Sequence, residues 1–240
     1  MGIKGILFDK DDTLIDLGTY WCKPTKICID MLLKKYAAEN NDELRRKLEL
    51  AGGFDDDRLI PGSVVVTGTN LETMYLFKDI FEEYGIEVDE GFCRYGEVIL
   101  EECCLKYGEI KAKGDVLSLM GYLKSNNILI ALATGDQRIS AINCLNKLGI
   151  TDYFDMIITS DDVKNQKPHP EMIDKFMFEY KLGTEEVLMV GDSANDMLFA
   201  KNAGAEGVFF SSGERKLQLP EGARFRISEA EELEAILKKY

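Results

Sequence analysis

From residue 113 to its end the chain alternates short, continuously apolar runs with amphipathic stretches, and few folds can use that pattern. Helical spacing over 114–125 leads into Asn-Ile-Leu-Ile-Ala-Leu-Ala at 127–133. A helix at 137–148 precedes a strand near 155–159, and one at 170–181 precedes Val187-Leu188-Met189-Val190. A helix at 194–203 then leads to a strand at 206–210, and a last helix is expected over 229–239. Strands that are apolar on both faces, separated by helices, pair in parallel under two helical layers. One more apolar run, residues 4–9, opens the chain. The expected fold class is α/β, a doubly wound, Rossmann-like parallel sheet.

The stretch between the first strand and residue 113 has a different texture. Ile27, Met31, Leu32 and Tyr36 recur at helical spacing within 24–38, as do Leu71, Tyr75, Ile80 and Phe81 within 71–84. Residues 92–107 continue with Phe92, Val98, Ile99, Cys103 and Leu105. Turns fall at Gly52-Gly53 and at Ile60-Pro61-Gly62. The expected organisation is an α/β catalytic core made of 1–16 and 113–240, split by a helical domain over 17–112.

Composition narrows the class. At 240 residues the chain has ample length for a real core, and no apolar run approaches the roughly 18 residues that span a membrane. The first residues enter a strand directly, without a basic-then-apolar signal segment. Six cysteines (Cys22, Cys28, Cys93, Cys103, Cys104 and Cys144) show no C-x-x-C spacing and read as reduced thiols, so a cytoplasmic location is expected. A formal charge of −14 argues against nucleic acid and anionic membranes as partners. An anionic substrate would then need a local positive field from a metal, a lysine and backbone N–H groups.

In doubly wound folds ligands bind beyond the carboxyl ends of the strands. The first strand ends in Asp9 and Asp11, two residues apart; period-two alternation puts both carboxylates on one side. Like charges held together call for a cation or a shared proton, and Mg²⁺, which takes oxygen ligands of this kind, is the simplest expectation. The second strand ends in Thr134-Gly135-Asp136, a later loop carries Lys167-Pro168-His169-Pro170, and the fourth ends in Gly191-Asp192-Ser193-Ala194-Asn195-Asp196. Each piece has a bland reading: Thr134, Asp192 and Ser193 as helix caps, Lys167 as a solvated lysine. The ordered series is specific where its members are not.

That series resembles the haloacid dehalogenase superfamily of phosphohydrolases over essentially the whole chain. Phe8-Asp9-Lys10-Asp11-Asp12-Thr13-Leu14 matches its first motif, Thr134 its second, Lys167 its third, and Asp192 with Asp196 its fourth. The helical insertion resembles the cap domain of the subgroup containing phosphoglycolate phosphatases and β-phosphoglucomutases. Asp12 departs from the glycine frequent there and adds a charge. The resemblance implies Asp9 as nucleophile and Asp11 as general acid and base. It implies Mg²⁺ between the Asp9 carboxylate, the Asp11 backbone carbonyl and Asp192, with Asp196 orienting metal-bound water or Lys167 from behind. Lys167, Thr134 and the Gly135 N–H, at a helix N-terminus, would hold the phosphate.

The expected activity is Mg²⁺-dependent hydrolysis of a small phosphorylated metabolite, of phosphoglycolate or sugar-phosphate type, through an aspartyl-phosphate. A phosphomutase would use the same residues, and a catalytically silent binding protein would keep the fold without turnover. A phospho-receiver domain also places acidic residues, Thr and Lys at strand ends but has no use for the 17–112 insertion. The dehalogenase branch lacks the second aspartate, so Asp11 favours phosphate chemistry. His169, alone between two prolines, reads as structural, and Asp55-Asp56-Asp57 and Asp161-Asp162 as solvated turns. Residues 9–20 are no calcium loop, since Leu14 and Tyr20 stand where Gly and Glu are needed. Specificity candidates in the insertion are Trp21, Lys23, Arg58, and the Gly62-Ser63 to Thr67-Gly68-Thr69 stretch.

Overall fold

Gly5–Phe8 forms strand β1, and all four residues are buried, as a central strand covered on both faces requires. The computed structural model describes residues 2–56, 58–60, 63–64, 69–211 and 218–240. They fall into two compact units, Met1–Asp16 with Lys111–Tyr240, and Leu17–Ile110.

The second unit carries helices α1 (Leu17–Lys35), α2 (Asp42–Ala51), α3 (Asn70–Glu83) and α4 (Phe92–Tyr107). A two-residue antiparallel pair, β2 (Phe54–Asp55) and β3 (Arg58–Leu59), lies between α2 and α3. On α4 the buried residues Phe92, Gly96, Ile99, Leu100 and Cys103 recur every three or four positions. They meet Met74, Phe77 and Phe81 of α3 and Leu32 and Leu33 of α1 in one cluster. Fully burying a side chain of this size contributes about 1.5–3 kcal/mol. Met31, Leu71, Tyr75, Val98 and Leu105 are exposed, so the buried faces are rotated from those the apolar spacing suggests. These helices carry apolar residues on more than one face, and period alone cannot choose between them.

The first unit continues with α5 (Val116–Ser125), β4 (Leu129–Ala133), α6 (Arg138–Leu148) and β5 (Met156–Ile158). Then come α7 (Glu171–Tyr180), β6 (Val187–Gly191), α8 (Ala194–Ala203), β7 (Glu206–Phe210), β8 (Ala223–Ile227) and α9 (Glu232–Leu237). Among the described residues the six strands form one sheet in the order β5-β4-β1-β6-β7-β8, with every pair parallel. The α/β class expected from the alternation is the observed one. Leu7, Ala131, Met189, Ile173, Phe176 and Phe199 pack together on one face of this sheet.

Strand order positions the site. Phe8 lies opposite Leu132 on one side and Val190 on the other, so β4, β1 and β6 end level with one another. After β5 the chain crosses β1 to form β6, and a crevice opens at such a reversal. β8 escaped the sequence reading because Arg224 and Arg226 interrupt its apolar pattern, as an edge strand allows. All six cysteines are free thiols. No described helix is long and apolar enough to cross a membrane.

Candidate active site

Asp9 is the first residue beyond β1, and its N–H donates to the Val190 carbonyl at 2.9 Å, prolonging the ladder by one rung. Its Oδ1 accepts from Lys167 Nζ at 2.6 Å, and the same ammonium donates to Asp196 Oδ1 at 2.7 Å. The Lys167 side chain is 8% exposed, which excludes the solvated reading of that lysine. Its ammonium also lies 5.6 Å from the centre of the Phe199 ring.

Asp196 is fixed by its place in α8. Ser193 is the N-cap, with its Oγ accepting from the Asp196 N–H at 3.1 Å. In return Asp196 Oδ2 accepts from the Ser193 N–H at 3.2 Å and from its hydroxyl at 2.6 Å, a reciprocal capping box. Both Asp196 oxygens therefore accept hydrogen bonds already. Asp192 closes the group: Asp9, Asp192 and Asp196 each offer an oxygen within 4.8 Å of the others.

Asp9 and Asp11 pair with different lysines. Regular strand geometry stops at Phe8, and the Leu14 and Ile15 N–H groups both turn back to the Lys10 carbonyl, at 2.9 and 3.1 Å. Asp11 accordingly faces another lysine: Lys10 Nζ donates to Asp11 Oδ1 and lies 3.2 Å from Asp136 Oδ2. Thr134 is buried beyond β4, its N–H donating to the Ile158 carbonyl at 3.0 Å. Its hydroxyl accepts from the Asp136 N–H at 3.2 Å. α6 begins at Arg138 with Gln137 at its N-cap, so Thr134 and Gly135 precede the helix and are not its first turn. A Cβ built on Gly135 would lie 3.4 Å from Gln166 Oε1, which sets this loop against the one carrying Lys167.

Electrostatics follow from burial. Burial is the strongest influence on Asp9 and raises its pKa above the ordinary range; Lys167 opposes this, and Asp196 and Asp11 add to it. Asp192 is pushed up to about 8 by burial and then by Asp9, Asp196 and Asp12, with Lys113 opposing. For Lys167, burial disfavours the charge, but Asp9 and Asp196 outweigh it and keep the ammonium protonated. Were all three carboxylates ionised against one ammonium, two negative charges would be in excess, the charge of one divalent cation. The donors in this cluster are all oxygens, which suits a hard cation such as Mg²⁺.

Four contributors were missed or undervalued in the sequence. Lys10 and Asp136 stood inside the motifs with no role assigned, yet Lys10 is only 4% exposed and lies 3.2 Å from Asp136 Oδ2. Asp12 takes a left-handed φ of 54° and pairs with Lys113 at 3.0 Å. Gly191 sits directly behind Asp196. The turns read as merely solvated also have partners. Asp162 Oδ2 accepts from Arg138 at 2.7 Å, Asp161 accepts from the Arg138 N–H at 2.8 Å, and Arg46 pairs with Asp55 and Asp56. His169 is exposed, its Nδ1 accepting from the Glu171 N–H at 3.3 Å.

Among the specificity candidates, Trp21 packs edge-on to Tyr20 at 5.2 Å and against Cys22 and Phe54. Lys23 is exposed, 3.9 Å from Glu109. Thr69 is the N-cap of α3, in a capping box with Glu72. Asp57, Gly62, Thr67 and Gly68 lie outside the described residues, as does the Arg58 side chain.

Known proteins are similar to this chain in sequence and in fold. A family model of haloacid dehalogenase-like hydrolases matches residues 3–204. A phosphoglycolate phosphatase of Salmonella typhimurium is 35% identical over 222 residues, covering 88% of this chain and 82% of its own. The pyrophosphatase PpaX of Halalkalibacterium halodurans is 30% identical over 138 residues, 54% of this chain and 64% of its own. In fold, the chain is similar to a subfamily IA hydrolase of the same superfamily from Geobacter sulfurreducens, with a TM-score of 0.67 and 20% identity over 98% of this chain and 97% of that one. By the span of the family match and the extent of these likenesses, the chain belongs to the haloacid dehalogenase-like hydrolase family.

Proposed function

We propose that this chain is a Mg²⁺-dependent phosphatase acting on a small-molecule phosphate monoester through an aspartyl-phosphate at Asp9. The observation that carries the reading is one buried ammonium, Lys167, shared between Asp9 and Asp196 beside Asp192 at the level ends of β1 and β6. The phosphoglycolate phosphatase relative supports a substrate of phosphoglycolate or sugar-phosphate type.

Asp9 attacks phosphorus, and Lys167 holds the attacking carboxylate in place while offsetting charge on the transferring phosphoryl group. Asp11 gives a proton to the leaving alcohol and later takes one from the attacking water. Thr134 and the Gly135 N–H, in the loop beside that of Lys167, bind a phosphate oxygen. The Asp9 and Asp192 carboxylates and the Asp11 backbone carbonyl hold Mg²⁺, which when bound draws charge from the phosphate oxygens. Asp196, with both oxygens committed, orients Lys167. The helical unit is a cap that contributes substrate selectivity. A cytoplasmic location agrees with six free thiols.

The test is phosphate release from p-nitrophenyl phosphate and a panel of small phosphate esters, with Mg²⁺ and with EDTA, beside Asp9→Asn. Release that needs Mg²⁺ and disappears in the variant supports the reading. An isomerised product in place of free phosphate would make the protein a mutase, and no turnover of any ester would make it a binding protein.

A further inference from the structure

Two lysines divide the acidic groups at the strand ends between them. Lys167 takes Asp9 and Asp196, whereas Lys10 takes Asp11 and Asp136. The second set contains none of the three clustered carboxylates and has its own anchorage. The Asp136 carbonyl accepts from the Ser160 N–H and hydroxyl, both at 2.9 Å, and its Oδ2 accepts from the Ser140 hydroxyl at 3.1 Å. The Asp136 N–H holds the Thr134 hydroxyl at 3.2 Å. At the other end, the Lys10 carbonyl is gripped by the Leu14 and Ile15 N–H groups. An ammonium this buried is tolerated only because both carboxylates pair with it.

We propose that Lys10, anchored by Asp136, is a positioning residue for Asp11, an inference that rests on the acid–base role given to Asp11 above. An ammonium donates hydrogen bonds and accepts none, so the oxygen it holds, Oδ1, is the unprotonated one. The exchangeable proton is thereby assigned to Oδ2. In the first step the Asp9–phosphorus bond forms and the ester P–O bond breaks; the electron pair left on the alcohol oxygen takes the Oδ2 proton. In the second, the water oxygen bonds to phosphorus and the Asp9–phosphorus bond breaks, while a water proton returns to Oδ2. Lys10 touches none of the reacting atoms. Through Asp136 it also ties the orientation of Asp11 to that of Thr134, so acid and phosphate-binding hydroxyl move as one unit.

A purely structural lysine and a positioning lysine separate by leaving group. Alkyl phosphates need a proton on the departing oxygen, whereas p-nitrophenolate leaves without one. For Lys10→Met we expect kcat/KM on an alkyl phosphate, which reports the step that expels the alcohol, to fall by about 10–100-fold, part of what general acid catalysis contributes. On p-nitrophenyl phosphate we expect a much smaller loss in kcat/KM. Asp136→Asn, which leaves the Lys10–Asp11 pair intact but weakens its anchor, should move in the same direction and serves if Lys10→Met does not fold. In Asp11→Asn, adding Lys10→Met should cost the alkyl ester nothing further. Equal losses on both esters, or none on either, overturn the proposal. Retention of alkyl-ester turnover by Asp11→Asn itself overturns instead the acid–base reading of Asp11.

Discussion

Gly191 leaves no room for a side chain beside Asp196: an added Cβ would stand 2.5 Å from both Cβ and Cγ of that residue and 2.6 Å from its Oδ2. The obstacle is the root of the Asp196 side chain, which cannot swing aside without turning the first helical residues of α8. Gly191→Ala should therefore displace Asp196 from Lys167 while leaving β6 paired. Loss of such a supporting partner typically costs about 10–100-fold in metal affinity or activity. We expect that loss in kcat or in Mg²⁺ activation, with the far-ultraviolet dichroism unchanged. Wild-type kinetics in this variant would mean that Asp196 has no part in holding Lys167.

The acidic cluster should make stability depend on pH and metal together. Burial and neighbouring carboxylates push Asp192 up to about 8 from an ordinary 3.8, and Asp9 rises as well. A carboxyl raised in the folded state binds protons there that the unfolded chain has already lost. Its contribution to stability therefore falls as pH climbs from about 4 to about 8. A divalent cation replaces those protons and removes the penalty. Thermal melts should accordingly show a larger gain in Tm from Mg²⁺ over EDTA at about pH 8 than at about pH 5.5. An equal gain at both values would show that protons and metal do not compete for these carboxylates.

Asp12 stands in a left-handed turn, with φ at 54°, and pairs with Lys113. Replacing it by glycine relieves a backbone strain of about 1 kcal/mol and forfeits an ion pair whose side chains are 21% and 23% exposed, also worth about 1 kcal/mol. Asp12→Gly should thus unfold in urea within about 1 kcal/mol of wild type and keep its kcat. A tenfold or greater loss of turnover would make Asp12 part of the reacting set rather than a substitute for glycine in the turn.

What the sequence made legible, and what it did not, divides along range of interaction. The parallel sheet was readable because β1, β4 and β6 are apolar on both faces, a pattern that the strands state locally. The grouping of Asp9, Lys167, Asp192 and Asp196 was readable because each lies at or just beyond a strand end, or in the loop leading from one, and parallel pairing brings those ends together. The pairing of Lys10 with Asp136 was not, since the two are far apart in sequence and meet only when β1 and β4 lie side by side. The pairing of Asp11 with Lys10 was not legible, because regular strand geometry gives way after Phe8 to a turn begun at the Lys10 carbonyl. Gly191 was passed over because nothing in a lone glycine announces the Asp196 side chain it must accommodate.

Asp162 gathers three donors on one oxygen. Its Oδ2 accepts from the Thr159 N–H and hydroxyl, both at 2.8 Å, and from Arg138 at 2.7 Å, joining the turn after β5 to the start of α6. Burial works to raise its pKa, but the hydrogen bonds from Arg138 and Thr159 outweigh it, and the carboxyl titrates below the usual 3.8. A group depressed in this way stabilises the fold above its unfolded pKa, and the contribution disappears as pH falls through the folded one. Asp162→Ala should cost about 1–3 kcal/mol near neutrality, chiefly from donors left without their acceptor. The deficit in urea unfolding should begin to shrink below about pH 4, near the unfolded pKa, and disappear only as pH falls through the lower pKa of the folded carboxyl. A deficit that stays constant down to acid pH would assign the loss to packing instead of charge.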